Sequence, residues 1–129
     1  MNRELMPSGM APPAANYAHA MLSEVAEGTR MLHTSGVVPT RPDGTVPESL
    51  ADQAEAVWSS LTALLAEARM TPSDIVSVTT YVVVGEDLAT VMAARDRVLG
   101  DHRAASTLVT VPALAQPAWR MEIAIVAIA

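Results

Sequence analysis

The sequence contains no cysteine, no lysine and no phenylalanine among its 129 residues. The absence of cysteine excludes disulfides, thiolate chemistry and cysteine-based zinc sites. Eight arginines stand against fourteen acidic residues, so the formal net charge is −6 and a nucleic acid would be repelled at long range. Only two tryptophans and two tyrosines are aromatic. The core must therefore be built from Ala, Val, Leu, Ile and Met.

Long apolar segments are also lacking. The longest uninterrupted apolar run, Ile123–Ala129, is far shorter than the roughly 20 residues that a membrane helix needs. The first ten residues include Pro7 and Gly9 and contain no apolar stretch of the kind found in secretory signals. We therefore expect a cytoplasmic protein that does not bind membranes. Its length fits one domain over residues 1–129, in which residues 1–10 form a flexible or edge-strand N-terminus.

Two segments carry the signals of helices. Apolar residues recur at steps of three and four over Leu50–Ala68, which predicts one amphipathic helix with Ser49 as its cap. This helix has to end before Pro72, because proline cannot continue it. A second helix is predicted after Asp87, which can cap its start, and Gly100 is placed to end it.

Strands are predicted between and around these helices. Runs rich in β-branched and other apolar residues, bounded by Pro, Gly and Asp, favour extended structure. The predicted strands are Met31–Val38, Ile75–Val84, Thr107–Val111 and Trp119–Ala129, with a weaker candidate at Tyr17–Val25. This interleaved order indicates an α+β domain in which two helices pack on one face of a single sheet.

The last strand indicates what covers the other face. Alternate residues of a strand share a face, so Met121, Ile123 and Ile125 should point toward the helices. The opposite row runs from charged residues to the apolar Val126 and Ile128. Two helices cannot cover both faces, and sister copies in a homo-oligomer would cover the second one. The alternative is that the N-terminal segment folds over this apolar edge.

Five short motifs occur in an order that resembles a known family. They are Asn16-Tyr17-Ala18-His19-Ala20, Thr34-Ser35-Gly36, Asp52-Gln53-Ala54, Asp74-Ile75-Val76 and Met121-Glu122-Ile123. Together they resemble the RidA family, also called YjgF or L-PSP, over nearly the whole chain. The resemblance implies a chorismate-mutase-like fold, a homotrimer with ligand clefts between subunits, and no cofactor or metal. Members that act as deaminases hydrolyse small enamines and imines to a 2-keto acid and ammonia.

Two positions decide whether that chemistry is expected here. The family holds the substrate carboxylate with an arginine, and the matching stretch Ala104-Ala105-Ser106-Thr107 has Ser106 at the arginine position. A neutral hydroxyl cannot replace a bidentate guanidinium, so resemblance predicts that Ser106→Arg strengthens 2-imino acid turnover. Glu122 matches the family glutamate and is the expected acid/base, although a gap would align Ala124 with it instead.

Six further residues are expected to line the cleft. Arg120, two residues before Glu122, either adds a cation to the cleft or forms an ion pair with Glu122. His33 is either a base or hydrogen-bond donor, or a structural residue. The resemblance places Tyr17 and Ser35 in the cleft, and it also places Met92 and Leu108 there, where both replace more polar or smaller residues.

The functional expectation is a trimeric, small-molecule-binding protein. Hydrolytic deamination of an enamine, imine or related carbonyl metabolite is the first hypothesis, with a non-standard substrate because of Ser106. The alternative is a non-catalytic or sensor-like trimer that kept the cleft, so whether the chain is an enzyme stays open. RNA cleavage is a third hypothesis, and the net charge of −6 weighs against it.

Overall fold

A computed structural model describes all 129 residues. Six strands, two helices and one 3₁₀ turn follow the order β1 (Asn2–Leu5), β2 (Ala20–Ala26), β3 (Thr29–Thr34), α1 (Leu50–Glu67), the 3₁₀ turn (Pro72–Asp74), β4 (Ile75–Val83), α2 (Leu88–Leu99), β5 (Ala105–Val111) and β6 (Met121–Ile128). Neither helix has the length and apolarity needed to cross a membrane.

The six strands form one mixed sheet. Their spatial order is β1-β2-β3-β6-β4-β5; β4 and β5 are parallel, and the other neighbours are antiparallel. Both helices pack on one side, here called the helix face, and the opposite side is the open face. The α+β class with two helices on a single sheet is thus confirmed.

The long helix forms for the reasons its sequence suggested. Ser49 caps it by accepting a hydrogen bond from the Asp52 backbone N–H at 3.1 Å. Its apolar residues spaced by three and four are buried in one continuous core with β4 and β6, among them Leu61 and Leu64, which are fully buried. The helix ends where Arg69 adopts a left-handed backbone with φ 57°, two residues after Glu67. Truncating Leu61 to Ala would cost about 2–5 kcal/mol of stability.

The strands agree with the predicted ones except in one segment. The predicted strand Met31–Val38 is too long, because β3 ends at Thr34. Beyond Thr34 the chain leaves the ladder and pairs again only at Val37, which exchanges backbone hydrogen bonds of 2.7 and 3.1 Å with Ile123. The short excursion at Ser35 and Gly36 shapes the candidate site described below.

The two faces of β6 are as the alternation predicted. Met121, Ile123, Ile125 and Ala127 are buried on the helix face, whereas Ile128 on the open face is 42% exposed. The N-terminal segment does not cover this open face. Its strand β1 extends the edge of the sheet beside β2, and Gly9 lies against Ala63 of α1 on the helix side.

Candidate functional site

Glu122 is a half-buried carboxylate on the open face of β6. Its neighbours along the strand, Met121 and Ile123, point into the core, so Glu122 must point the other way. Burial raises the pKa of the Glu122 carboxyl, because a desolvated carboxylate is less stable than its protonated form. The side chain makes no hydrogen bond or ion pair within the chain. It is therefore available to a ligand.

The lack of a side chain at Gly36 leaves room for the Glu122 carboxyl. Strand β3 ends at Thr34. The Thr34 hydroxyl accepts a hydrogen bond of 2.9 Å from the Ile125 backbone N–H, which in a continued strand would bond to a backbone carbonyl. The chain then passes directly over Glu122. A Cβ added to Gly36 would lie 2.9 Å from the Glu122 Cδ and closer still to Oε2. Only a residue without a side chain leaves this space to the carboxyl group.

Three side chains with hydroxyl groups share the open face with Glu122. The register pairs Glu122 with Tyr81 of β4, and Tyr81 with Val109 of β5, so these three side chains form one row across the sheet. The adjacent row contains Thr79 and Thr107, which also face outward. Sequence reasoning did not single out Tyr81 or Thr107, although the alternation of β4 would have placed Tyr81 on this face.

Residues 6–19, here called the N-terminal arm, contain Tyr17 and are joined to Ser35, the neighbour of Gly36. The Ser35 hydroxyl donates to the Ala18 carbonyl at 2.5 Å, so this side chain ties the arm to the end of β3. Tyr17 is 38% exposed and meets the ring of His19 edge to face at a centroid distance of 6.2 Å. A small cavity of about 60 Å³ lies here, and it is lined by Tyr17, Gly36 and Trp119 among others.

His19 is also part of this arm and has a structural role. Its Nε2 pairs with the Ala11 carbonyl at 2.8 Å, and its own carbonyl accepts from the Ser35 backbone N–H at 2.8 Å. Both contacts hold the arm against the strand end. No group of three or more His, Asp or Glu side chains gathers as metal ligands would.

The Arg120 side chain forms an ion pair with Glu86. Its guanidinium Nε lies 3.4 Å from the Glu86 carboxylate, at the turn after β4. Its backbone N–H donates to the side-chain carbonyl of Gln53 at 3.0 Å. Of the two roles considered for Arg120, the ion pair with Glu122 is not formed, because Glu86 pairs with the guanidinium where the chain enters β6.

Three other expected cleft residues lie on the helix side of the sheet. Ser106 is paired with Val78, which is buried in the core, so its side chain shares the helix face. It lines a cavity of about 370 Å³ that also contacts Arg95 and Arg103. Leu108 packs against the core, and Met92 is exposed on α2. The fold does not bring these residues together with Glu122 in one chain.

His33 lies on the open face but away from Glu122. It pairs with Val126 of β6 and with Met21 of β2, and its side chain is exposed. Val126 is four residues from Glu122 along the strand, which corresponds to about 13 Å. His33 therefore sits in the apolar half of the open face, whereas Glu122 sits in the half that contains hydroxyl groups.

Comparisons with known proteins agree with this architecture. The family model described as Endoribonuclease L-PSP matches residues 9–129. The crystal structure of the Escherichia coli YjgF gene product shares 26% identity with a TM-score of 0.84, covering 97% of each chain. Escherichia coli TdcF, solved with bound serine, shares 22% identity with a TM-score of 0.85, covering 98% of each chain.

A protein of the conserved Rid family, YyfA from Yersinia pestis, is similar in the same way. It shares 21% identity with a TM-score of 0.88 and 98% of each chain covered. No curated protein matched the sequence. Because the family model spans almost all of the chain and the same fold recurs in solved YjgF and Rid proteins, this chain belongs to the L-PSP family, also known as YjgF or RidA.

Proposed function

We propose that this protein is a homotrimer that hydrolyses small imines or enamines in clefts formed at the open face, releasing ammonia. The observation that carries this proposal is the Glu122 carboxyl, which is half-buried, has a pKa raised by desolvation and makes no bond within the chain. A carboxylate with a raised pKa is a stronger base than an ordinary glutamate, which suits a general acid/base. Family membership supports a small-molecule ligand.

The chemistry needs one group that moves a proton twice. Glu122 accepts a proton from water as the water oxygen attacks the C=N carbon. The protonated carboxyl gives that proton to the nitrogen, which completes the neutral carbinolamine. The Glu122 carboxylate then takes the proton of the carbinolamine hydroxyl and passes it to the nitrogen as the C–N bond breaks, so that the hydroxyl oxygen becomes a carbonyl and ammonia leaves. Imine and water are thus converted to a carbonyl compound and ammonia without a cofactor. The Tyr81 hydroxyl, in the same row, would hydrogen-bond the reacting groups.

Sister copies would complete the clefts. Val126 and Ile128 form an apolar end of the open face, with Met31 beside them, and association would remove this area from water. Tyr17 of the N-terminal arm and Ser35 at the end of β3 lie next to Gly36, and both would face the ligand from there. Three further expected binding residues lie on the helix side of the sheet and do not share the open face with Glu122; they are Ser106, Leu108 and Met92. In one chain Arg120 pairs with Glu86, and His33 lies about 13 Å from Glu122 along the sheet.

A trimer that binds a metabolite without converting it is the second candidate. Two expected ligand-binding side chains make contacts within the chain instead, Ser35 with Ala18 and Arg120 with Glu86. Glu122 is then the single charged group of its row, and this favours a protein that binds without catalysis. RNA cleavage has less support, because the chain has a net charge of −6. A cytoplasmic location, where small imines arise from amino acid metabolism, completes the proposal.

The test is to release an imine in situ with an oxidase and to follow its decay with and without the protein. We expect faster decay with the wild type and none above the spontaneous rate with Glu122→Gln. Glu55→Gln, which changes an exposed glutamate of α1, is the matched control and should retain the wild-type rate. Failure of the wild type to accelerate any imine, together with measurable ligand binding, would favour the metabolite-binding trimer.

A further inference from the structure

We propose that the Glu122 site takes imines that lack a carboxylate, with a neutral or protonated C=N group, and that anionic 2-imino acids are poor ligands. This inference rests on the proposed function and narrows it to a substrate class. It comes from the distribution of charge around the site. The open face near Glu122 contains a carboxyl and hydroxyl groups, and the nearest arginine in the sequence, Arg120, is paired with Glu86.

Three of the eight arginines are held by partners in the chain. The Arg30 guanidinium donates to the Ala68 carbonyl at the end of α1. Arg95 pairs with Asp96 at 2.9 Å, and Arg120 pairs with Glu86 at 3.4 Å. Arg120 is the nearest of the three to Glu122, two residues before it in the sequence, and Glu86 pairs with its guanidinium at the turn after β4.

The remaining five arginines are also away from the site. Arg3 pairs with Leu22, whose side chain is on the helix face. The other four lie in turns and on or beside helices: Arg41 in the turn that precedes α1, Arg69 after α1, Arg97 on α2 and Arg103 in the loop before β5. Lysine is absent from the sequence. Within one chain, therefore, the arginine nearest to Glu122 in the sequence is already paired with Glu86, and the other arginines lie on other parts of the fold.

The consequence for binding follows from the sign of the charges. A carboxylate placed beside Glu122 would meet a second negative charge in a partly desolvated site, where repulsion is stronger than in water. A protonated imine would instead be attracted to the Glu122 carboxylate. The hydroxyl groups of Tyr81, Thr79 and Thr107 can hydrogen-bond a neutral substituent, such as an amide or a hydroxyl group.

The pairing of β5 with β4 also shows which residue of β5 could carry a cation on the face of Glu122. Thr107 shares the open face with Glu122, whereas the adjacent Ser106 shares the helix face with Val78. An arginine at position 107 would therefore share the face of a ligand bound at Glu122, and an arginine at position 106 would point to the other side of the sheet. Sequence resemblance alone assigns the missing cation to Ser106, whereas in the fold its neighbours Ala105 and Thr107 share the open face, and Thr107 is nearer to the row of Glu122. Substitutions at Ser106 and Thr107 form a matched pair of variants.

Binding tests the proposal without requiring turnover. The probes are 2-oxopropanamide and 2-oxopropanoate, which have the same carbon skeleton and differ in charge. Titration calorimetry of the full chain should give an affinity for the amide at least about tenfold higher than for the carboxylate. Thr107→Arg should reverse that preference, whereas Ser106→Arg should leave it unchanged. Circular dichroism of both variants checks that they fold.

Turnover separates this inference from the proposed function. An amine oxidase acting on butylamine supplies a neutral imine, and an amino acid oxidase acting on 2-aminobutanoate supplies the anionic one. Preferential hydrolysis of the neutral imine supports both proposals. Equal or better use of the carboxylate compounds, or a larger gain from Ser106→Arg than from Thr107→Arg, would overturn the inference and leave deamination standing. Tighter binding of the amide without turnover would refute deamination alone, and absence of binding and turnover would refute both.

Discussion

The α-carbon of Gly36 lies against the carboxyl group of Glu122, so that a methyl group at position 36 would be 2.9 Å from the Glu122 Cδ. The two residues belong to different segments, one just beyond β3 and the other on β6. They meet because the Thr34 hydroxyl ends the β3 ladder and Val37 resumes it against Ile123. The close approach excludes water from one side of the carboxyl.

Gly36→Ala should therefore impair ligand binding and turnover with little effect on folding. The added methyl group displaces the Glu122 carboxyl from its pocket, and the end of a flexible side chain can move away at low cost. Gly36 is not among the glycines with a left-handed backbone, so alanine introduces no backbone strain. We expect at least about a tenfold loss of kcat/KM. The stability should change by less than about 1 kcal/mol, as measured by urea unfolding.

Gly9→Ala is the control for this prediction. A methyl group at Gly9 would meet the Ala63 Cβ at 3.5 Å, an ordinary contact far from Glu122. Turnover should remain at the wild-type level. If Gly36→Ala kept full activity, the contact with Glu122 would have no functional role.

Glu122 should also make the stability of the protein depend on pH. Burial raises the pKa of Glu122 in the folded state, whereas the unfolded chain has an ordinary glutamate pKa of about 4.3. The folded state then binds more protons above this pH, so the stability falls as the pH rises through that range. Glu122→Gln removes the titrating group. The variant should have a higher Tm than the wild type at about pH 7 and the same Tm at about pH 4.

Differential scanning calorimetry at several pH values checks this sign. Glu55→Gln, at an exposed position of α1, should leave the pH dependence of Tm unchanged. A Glu122→Gln variant that is less stable than the wild type at neutral pH would mean that the ionised carboxylate has a partner that stabilises it.

The spacing of apolar residues predicted the helices and most strands, because that spacing depends only on which face of each element is buried. The spacing of apolar residues in α1 and the alternation in β6 each report which face meets the core. The 3₁₀ turn at Pro72–Asp74 depends on equally local signals, since Thr71 and Asp74 form a capping box there. Such features depend on neighbours in the sequence.

The arrangement of the site depends on pairings between distant segments. Whether Ser106 or Thr107 faces Glu122 is set by the parallel register of β5 on β4, and the sequence of β5 alone permits either. The partner of Arg120 was equally hidden, because Glu86 is brought to it by the turn after β4. A motif shared with relatives identified Glu122, but only the fold identified its neighbours.

Gln53 should be essential for stability, because it joins three separate segments. Its side-chain N–H groups donate to the carbonyls of Pro47 at 2.9 Å and Ala118 at 2.8 Å, and its carbonyl accepts from the Arg120 N–H. Gln53→Leu preserves the volume but leaves these backbone groups without partners. We expect a loss of about 3 kcal/mol or more in the free energy of unfolding.

Urea unfolding measures this loss, and the neighbouring Asp52 supplies a control. Asp52→Asn, at an exposed position, should change the stability by less than about 1 kcal/mol, since the Asp52 contact with the cap of α1 is made by its backbone. A stability of Gln53→Leu equal to that of the wild type would show that water satisfies the three backbone groups as well as glutamine does.

Val126→Glu should dissociate the homotrimer. Val126 lies on the open face between His33 and Ser77, within the apolar half that sister copies would cover. A carboxylate buried there without a partner is strongly unfavourable, whereas in a single chain it would face water. Sedimentation velocity should show the wild type as a trimer and Val126→Glu as single chains with unchanged far-UV circular dichroism. Val84→Glu, at a valine that is 62% exposed beyond the end of β4, is the matched control and should remain trimeric. A wild type that sediments as a single chain at micromolar concentration would contradict the use of the open face as an interface.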